Sequence, residues 1–401
     1  MEQELEVKRN ITRFAAFTVL LIPFVYTFEN AAIGPALGVI SQAFPTASLV
    51  QVQYVMNIPF ITVIPVSIIA GNWLVYHFDK RKIVIIGLFI YAISGFAPGF
   101  VNDINTLLML RVLTGIGAGL VMPVPNMMIS EIWGGTTREK RLGIATSVQC
   151  ISSMSISVIA GFVAALSWRY VFYCFIIILI IAIISLIGLP KFPAPSKEEV
   201  LARKTNQIKV RIPPRVWIYG ALMCGNWVLW SFPILNIAIY GEKFNITGGA
   251  LGILMALFAL FSIPAAAFYS QEKKVLKRFL PTVAVACYGA GFLIFFFANN
   301  YAVMVVGALF CALGSSSMNP HIFDLTARAC ASDLRAREIS FGIVTPCIAL
   351  GGLIAPLIQA GIGALAGNTS IESLFFITAI ALFVFAVILI FTTKERVKEA
   401  L

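Results

Sequence analysis

The sequence predicts an all-α membrane protein in which twelve transmembrane helices form two six-helix bundles. Three observations support this fold class. Of the 401 residues, 59% are hydrophobic and only 12% are charged, whereas a soluble domain carries about 25% charged residues. The apolar residues fall into twelve stretches, each close to the ~20 residues that cross a bilayer. A polar segment, residues 191–215, divides the chain near its midpoint into halves 1–190 and 216–401.

The twelve predicted helices follow one another with short polar connections. In the first half they cover residues 14–40, 49–76, 83–101, 105–131, 142–166 and 169–190, and in the second half residues 216–240, 249–270, 279–298, 301–328, 340–366 and 372–393. The segment between the halves carries seven Lys and Arg but two acids. Such a polar, charged segment cannot bury enough apolar surface to fold alone, so we expect a solvated linker.

An internal repeat relates the two halves. Residues 137–146 (TREKRLGIAT) and 336–345 (AREISFGIVT) agree at five of ten positions. Their offset of 199 residues is half the chain length. Six helices followed by six in the same orientation are typical of transporters with parallel repeats. We therefore expect two bundles related by a pseudo-two-fold axis.

The basic residues predict the orientation in the membrane. With the N-terminus in the cytoplasm, 26 of the 29 Lys and Arg lie in cytoplasmic segments. Only Arg169 and Lys243 lie outside, and Arg111 lies within a predicted helix. Cytoplasmic loops of membrane proteins carry this excess. We expect both termini and the linker to face the cytoplasm, and the net charge of +11 to reflect topology rather than nucleic-acid binding.

Two charged residues lie deep inside predicted helices, whereas the others lie at or near helix ends. Glu29 lies about 15 Å and Arg111 about 9 Å below the outer surface, by the rise of a helix. Charges at this depth are costly and face partners or wet cavities. Gly115, Gly117 and Gly119 follow Arg111, and small residues allow helices to approach closely. We expect Glu29 and Arg111 to pair and to form a proton-coupling site; a protonated, packed Glu29 and a snorkelling Arg111 are the alternatives.

Polar and aromatic residues near mid-membrane are candidates for substrate contact. Tyr26 and Asn30 flank Glu29, and Asn57 ends a polar stripe. Asn226 and Trp230 share one helix face because they are four residues apart. Aromatic faces and a carboxylate both attract cations, so these residues favour amphipathic or cationic molecules. Helix packing is the alternative role for Asn57, Asn226 and Trp230.

Three motifs resemble those of the major facilitator superfamily, and the likeness extends over the whole chain. The loop from Gly71 to Lys82 is similar to the family signature between helices 2 and 3. Arg111 with Gly115 and Gly117 resembles a signature of the drug:proton antiporter branch. The third motif is Ser167-Trp168-Arg169 with Phe172. The resemblance implies the major facilitator fold, with the helices of Glu29 and Arg111 around a central cavity.

Two departures from the family pattern affect these expectations. The acid that the loop signature places after Gly71 is absent, and Asp79 comes later. We expect the cytoplasmic lock of the family to be rebuilt from Asp79 with Arg138 or Lys140, and a gate formed by Gly71, Asp79, Arg138 and Arg337. The antiporter signature of helix 5 has lost its proline in residues 157–161.

These observations together predict a proton-coupled secondary transporter that moves a small organic molecule by alternating access. Efflux by antiport is the favoured direction, and uptake of an organic anion or sugar-like solute is the alternative. A non-transporting membrane sensor is a remote alternative. We expect no enzyme activity, because two lone histidines do not provide a catalytic metal site, and a passive channel would need a filter.

Cofactors and partners follow from the same composition. The seven cysteines are scattered without a CxxC motif, which indicates packing rather than metal binding. We expect no cofactor and no metal. The expected partners are protons, a small-molecule substrate and the lipid bilayer. We expect a monomeric multi-pass protein of the bacterial inner (plasma) membrane.

Overall fold

The computed structural model describes residues 11–192, 212–246, 248–330, 334–367 and 370–398. Within these residues every regular element is helical. The helices before residue 192 are α1 (Arg13–Tyr26 with Phe28–Ala43), α2 (Leu49–His77), α3 (Lys80–Phe100), α4 (Ile104–Ile132), α5 (Thr136–Leu166) and α6 (Trp168–Gly188). Those after residue 212 are α7 (Arg215–Glu242), α8 (Gly249–Ala267), α9 (Gln271–Phe296), α10 (Tyr301–Ala329), α11 (Ile339–Leu365) and α12 (Ile371–Lys398).

The lengths of these helices confirm a protein that crosses the membrane many times. Within the described ranges, nine helices are long and apolar enough to span a bilayer, and the bent α1 is a tenth when counted as one span. The other two, α8 and α12, have shorter apolar stretches, Gly249–Ile263 and Ile371–Val387. All twelve predicted positions therefore carry an apolar helix.

Side-chain caps explain where several helices begin. Asp79 accepts a hydrogen bond from the backbone N–H of Arg81 at 2.8 Å, and Asp103 accepts one from Thr106 at 2.8 Å. Asn300 does the same for Val303 at 3.0 Å. The first N–H groups of a helix have no hydrogen-bond partner within the helix. A side chain that accepts from one of them therefore determines where the helix begins.

Prolines mark the places where helices depart from a straight course. The two segments of α1 meet at an angle of 50°. Pro23 and Pro35 are the second residues of two short 3₁₀ segments of this helix, Ile22–Tyr26 and Gly34–Ala36. Proline cannot donate a backbone hydrogen bond, so the regular helix is interrupted there. In α2, Pro65 precedes a π-helical segment, Ala70–Leu74.

The chain forms two compact units. The first comprises Met1–Ala47 and Tyr54–Lys209, and the second comprises Ser48–Gln53 and Val210–Leu401. The start of α2 thus packs with the second unit, which the sequence did not predict. The predicted linker 191–215 lies largely outside the described residues, and the predicted domain boundaries stay a prediction.

Candidate functional site

The first unit contains a charged pair inside its helices. Nη2 of Arg111 on α4 contacts Oε1 of Glu29 on α1. The side chain of Arg111 is fully buried, and that of Glu29 is 12% exposed. Nε of Arg111 donates a second hydrogen bond to the carbonyl oxygen of Val55 at 2.8 Å. The expected pairing is therefore present in the structure, whereas its role in proton coupling stays a prediction.

The break in α1 places Glu29 at the pair. Glu29 lies in the first turn of the second segment, Phe28–Ile33, where an acid interacts favourably with the positive end of a helix. Oγ1 of Thr27, at the break itself, donates to the carbonyl oxygen of Gln149 on α5 at 2.9 Å. The bend is thus tied to a neighbouring helix and holds the carboxylate in one position.

Aromatic side chains enclose the pair. The guanidinium carbon of Arg111 lies 5.7 Å from the centre of the Phe175 ring. Phe28 and Tyr91 pack edge-on against the same ring at 5.2 Å and 5.8 Å. The Tyr91 hydroxyl donates to the carbonyl oxygen of Val25 at 3.3 Å. The rings exclude water and strengthen the attraction within the pair, and Phe175 adds a cation–π contact.

Glycines on α4 bring the neighbouring helices close to Arg111. A Cβ at Gly115 would lie 2.2 Å from the carbonyl oxygen of Pro59 on α2, and one at Gly119 would lie 3.0 Å from that of Val63. On the opposite face, a Cβ at Gly117 would lie 2.4 Å from the backbone nitrogen of Tyr91 on α3. The expected close approach is confirmed, and it occurs on two sides of α4.

Arg111 retains an unused donor. Its Nη1 is buried, and it has no hydrogen-bond partner among the described residues. An unsatisfied buried donor is costly and rare in native proteins. A water molecule, a second anion or a substrate acceptor at this point would satisfy it. The pair can therefore bind a further polar group without first breaking.

The other candidate substrate residues of the first unit differ in their exposure and in their hydrogen bonds. The Tyr26 hydroxyl donates to the carbonyl oxygen of Met122 at 2.6 Å, so it positions α1 against α4. Asn57 is buried, with 2% exposed. Asn30 is partly exposed, and its side chain makes no hydrogen bond in the part of the chain that the structure describes. Of the three, Asn30 has the side chain best able to meet a ligand.

In the second unit, Asn226 and Trp230 on α7 belong to different surroundings. The amide of Asn226 donates to Oδ1 of Asn319 at 2.9 Å and accepts from the Tyr288 hydroxyl at 3.2 Å. It is thereby engaged in helix packing. The half-buried Trp230 lies 4.5 Å from Trp227, measured between ring centroids. The indole Nε1 of Trp227 is buried and has no partner among the described residues.

A cluster of buried amides was not among the predicted site residues. Within the second unit, Nε2 of Gln53 donates to Asn236 at 3.0 Å and to Gln359 at 2.8 Å, and Asn236 also donates to Gln359 at 2.8 Å. All three side chains are at most 1% exposed. The signal in the sequence was the polar stripe at the start of α2, but only tertiary structure shows which amides meet.

The predicted cytoplasmic gate residues lie in separate environments. Oδ1 of Asp79 accepts from the backbone N–H groups of Arg81 and Phe192, at 2.8 Å and 3.0 Å. Arg138 and Arg337 are exposed. A Cβ at Gly71 would make only ordinary contact, at 3.5 Å or more.

The expected pairing of Asp79 with Arg138 or Lys140 is absent from the described ranges. The nearby ion pair joins Lys80 to Glu131 at 2.9 Å. The carboxylate of Asp79 accepts backbone hydrogen bonds instead: one from Arg81 caps α3, and one from Phe192 binds the chain just after α6. The gate stays a prediction.

This architecture, many apolar helices with an ion pair enclosed among them, defines an integral membrane protein with a polar site inside its spanning region. The sequence then identifies the family. It matches the Major Facilitator Superfamily over residues 19–356, so the chain belongs to that superfamily. The resemblance based on the motifs is confirmed.

Several relatives have known names. Multidrug resistance protein 1 of Bacillus subtilis (strain 168) is 27% identical over 256 residues, 62% of this chain and 63% of that protein. Multidrug efflux pump SdrM of Staphylococcus aureus (strain N315) is 28% identical over 66% of this chain and 54% of that protein. Quinolone resistance protein NorA of Staphylococcus aureus (strain COL) is 24% identical over 86% of this chain and 85% of that protein. The match spans less than two thirds of the first two relatives.

Solved structures confirm the fold. A nucleoside transporter, NupG, superposes with a TM-score of 0.72 over 95% of this chain and 99% of the other, at 12% identity. A D-xylose-proton symporter superposes with a TM-score of 0.66 over 93% of this chain and 96% of the other, at 14% identity. These structural neighbours are transporters rather than enzymes.

Proposed function

We propose that this protein is a proton-coupled secondary transporter that exports small organic compounds in exchange for protons. The observation that carries the proposal is the enclosed pair of Glu29 and Arg111. A carboxylate and a guanidinium removed from water are retained at a cost in stability, and such residues inside membranes mark ion and substrate pathways. The relatives named for multidrug efflux and quinolone resistance support export.

Glu29 is the group that carries the proton in this proposal. When Glu29 is ionised, it neutralises Arg111; when it takes up a proton, the guanidinium loses its counter-ion but keeps the hydrogen bond to Val55. The free Nη1 and the released Nη2 then attract another acceptor. One proton crossing 100 mV supplies about 2.3 kcal/mol, which corresponds to a roughly 50-fold substrate gradient.

The proposed substrates are amphipathic or cationic molecules. In the first unit, Asn30 offers a polar contact next to Glu29. In the second unit, the half-buried Trp230 offers an aromatic contact. Tyr26 and Asn226 use their polar groups within the protein, so they act on the substrate indirectly. Asn57 stays a candidate. The relatives' names suggest that quinolones are a suitable class to test.

Proton-coupled uptake of an organic anion is a second candidate, favoured by one observation. The unpartnered Nη1 of Arg111 offers a charged donor that a substrate carboxylate could use, and Arg binds carboxylates through two parallel hydrogen bonds. In that case substrate and proton would enter together, and Arg111 rather than Glu29 would determine substrate affinity.

We further propose that the protein acts as a monomer in the bacterial inner membrane, with both termini in the cytoplasm. The positive-inside distribution of Lys and Arg supports this orientation. The gate of Gly71, Asp79, Arg138 and Arg337 would then lie on the cytoplasmic side, and its closure is part of the proposal.

The test is transport in inside-out vesicles with an imposed pH gradient, using a lipophilic cationic dye and a quinolone. We expect Glu29→Gln to abolish pH-driven accumulation of either compound while the compound still binds. Arg111→Lys should lower transport at least tenfold, because an ammonium cannot reproduce the two contacts of the guanidinium. The matched control is Glu131→Gln, which neutralises another paired acid whose side chain is 47% exposed; its transport should stay close to wild type.

The directions of transport separate the two candidates. Export predicts dye accumulation in inside-out vesicles when their lumen is acid. Uptake predicts accumulation of an organic anion in right-side-out vesicles when the outside is acid. Wild-type transport and unchanged pH dependence in Glu29→Gln would show that Glu29 is only a packed acid and would refute the coupling role.

A further inference from the structure

A groove opens between the ends of α3 and α6 that the charge distribution assigns to the cytoplasm. Its volume is about 270 Å³. Ile85, Ile86 and Leu186 form its apolar wall, and three cations, Arg81, Lys82 and Lys191, surround it. The groove lies within the first unit, and it contains neither Glu29 nor Arg111.

Two of the cations at this groove, Arg81 and Lys82, have binding capacity left. Nη2 of Arg81 donates to the carbonyl oxygen of Leu186 at 2.6 Å, which holds the guanidinium across the groove and leaves its other donors available. Lys82 is exposed. Within the described residues, neither side chain forms an ion pair. The single acid in the lining, Asp79, already accepts two backbone hydrogen bonds through Oδ1.

The wall below the cations faces the hydrocarbon of the bilayer. Ile86 is 55% exposed and Leu186 is 47% exposed, and apolar side chains exposed on the outside of a spanning helix are covered by lipid. A ligand that fills the groove must therefore present an anion at the membrane surface and an apolar chain beneath it. Basic pockets between helices on the cytoplasmic side match the headgroups of anionic lipids.

We propose that this groove binds the phosphate headgroup of an anionic phospholipid, with an acyl chain along α3 and α6. Arg81 and Lys82 contact the phosphate, and Ile86 and Leu186 contact the chain. The site rests on the orientation proposed above, but it does not depend on proton coupling or on the substrate. The hydrogen bond from the backbone N–H of Phe192 to Asp79 brings Lys191 to the same groove. The lipid would therefore bind where the chain leaves α6.

The test measures lipid binding to the delipidated full-length protein by native mass spectrometry and by thermal shift. The probes are phosphatidylglycerol, phosphatidylcholine and inorganic phosphate. We expect phosphatidylglycerol to bind and stabilise, and the other two to do so far less. Because a cation near the surface contributes about 1 kcal/mol of attraction, roughly fivefold in affinity, Lys82→Gln should weaken phosphatidylglycerol binding about fivefold.

Lys82 is exposed, so its replacement tests the site without endangering the fold. The matched control is Lys274→Gln, another exposed cation, in the second unit and away from the groove. Arg81→Gln combined with Lys82→Gln should remove the preference for phosphatidylglycerol over phosphatidylcholine. Equal binding of the two lipids, an equal shift with inorganic phosphate, or equal losses in Lys82→Gln and Lys274→Gln would each overturn the proposal.

Discussion

Replacing Gly115 by alanine tests the close approach of α4 and α2 next to the ion pair. The added Cβ would lie 2.2 Å from the carbonyl oxygen of Pro59 and 2.3 Å from Oγ1 of Thr62, whereas ordinary contact begins at 3.4 Å. Relief therefore requires a shift of about 1.2 Å (3.4 − 2.2) between two backbones. The hydroxyl of Thr62 could turn away, but the carbonyl group of Pro59 belongs to the backbone, so the helices themselves must separate.

The cost of that separation follows from overpacking and lost contacts. Inserting a methyl group into a packed interior costs about 1–3 kcal/mol, and more where backbone must move. The hydrogen bond from Thr62 to the carbonyl oxygen of Val112, at 2.7 Å, would also be strained. We expect Gly115→Ala to destabilise the protein by about 3 kcal/mol, and to lower transport because Val55, the acceptor of Arg111, lies one turn from Pro59.

Gly143 on α5 provides the matched control, since nothing lies within 4 Å of a Cβ built there. Alanine in the middle of a helix is more stable than glycine by about 0.5–1 kcal/mol. In detergent, the thermal-unfolding midpoint of Gly143→Ala should equal or exceed that of wild type, and that of Gly115→Ala should be well below. Equal midpoints for the two variants would refute the argument from close packing.

The remaining predictions concern a helix cap and the topology. Hydrogen bonds from the backbone and side chain of Thr106 hold the pKa of Asp103 below its usual range, so its contribution to stability is full above the usual aspartate pKa and is lost as pH falls through the lower, folded value. Thermal midpoints of Asp103→Asn should thus decline less than those of wild type between pH 7 and pH 3, and parallel curves would contradict this. Thr205→Cys, at a position outside the described residues, should resist an impermeant maleimide added to intact cells, while the exposed Asn299→Cys should react; rapid labelling at position 205 would reverse the orientation.

Sequence reasoning located the ion pair because charges inside apolar helices are rare. The depths of Glu29 and Arg111 follow from the rise of a helix, and their pairing follows from the cost of leaving either alone. The glycines after Arg111 predicted close helix contact by the same kind of local argument. A buried charge needs a partner and a glycine allows close helix contact, whichever residues are its neighbours in the fold.

The parts that sequence did not predict depend on which helices become neighbours. Asp79 had several cations in reach along the chain, yet Oδ1 of its carboxylate accepts from the backbone amides of Arg81 and Phe192. Asn226 was a candidate for substrate contact, but Asn319 and Tyr288 use its amide. A polar side chain inside a membrane protein needs a partner, and the sequence does not say whether a helix or a ligand supplies it.

The close contact between the indoles of Trp227 and Trp230 has a consequence for spectroscopy. Their rings are inclined at 48° with centroids 4.5 Å apart, so the two chromophores share excitation energy. A molecule that seats against the half-buried Trp230 would change the emission of both rings at once. The other four of the six tryptophans lie elsewhere in the chain, and their emission adds a background to this signal. The protein therefore contains an optical reporter for ligands in its second unit, which needs no added dye, and Trp230→Phe would silence it.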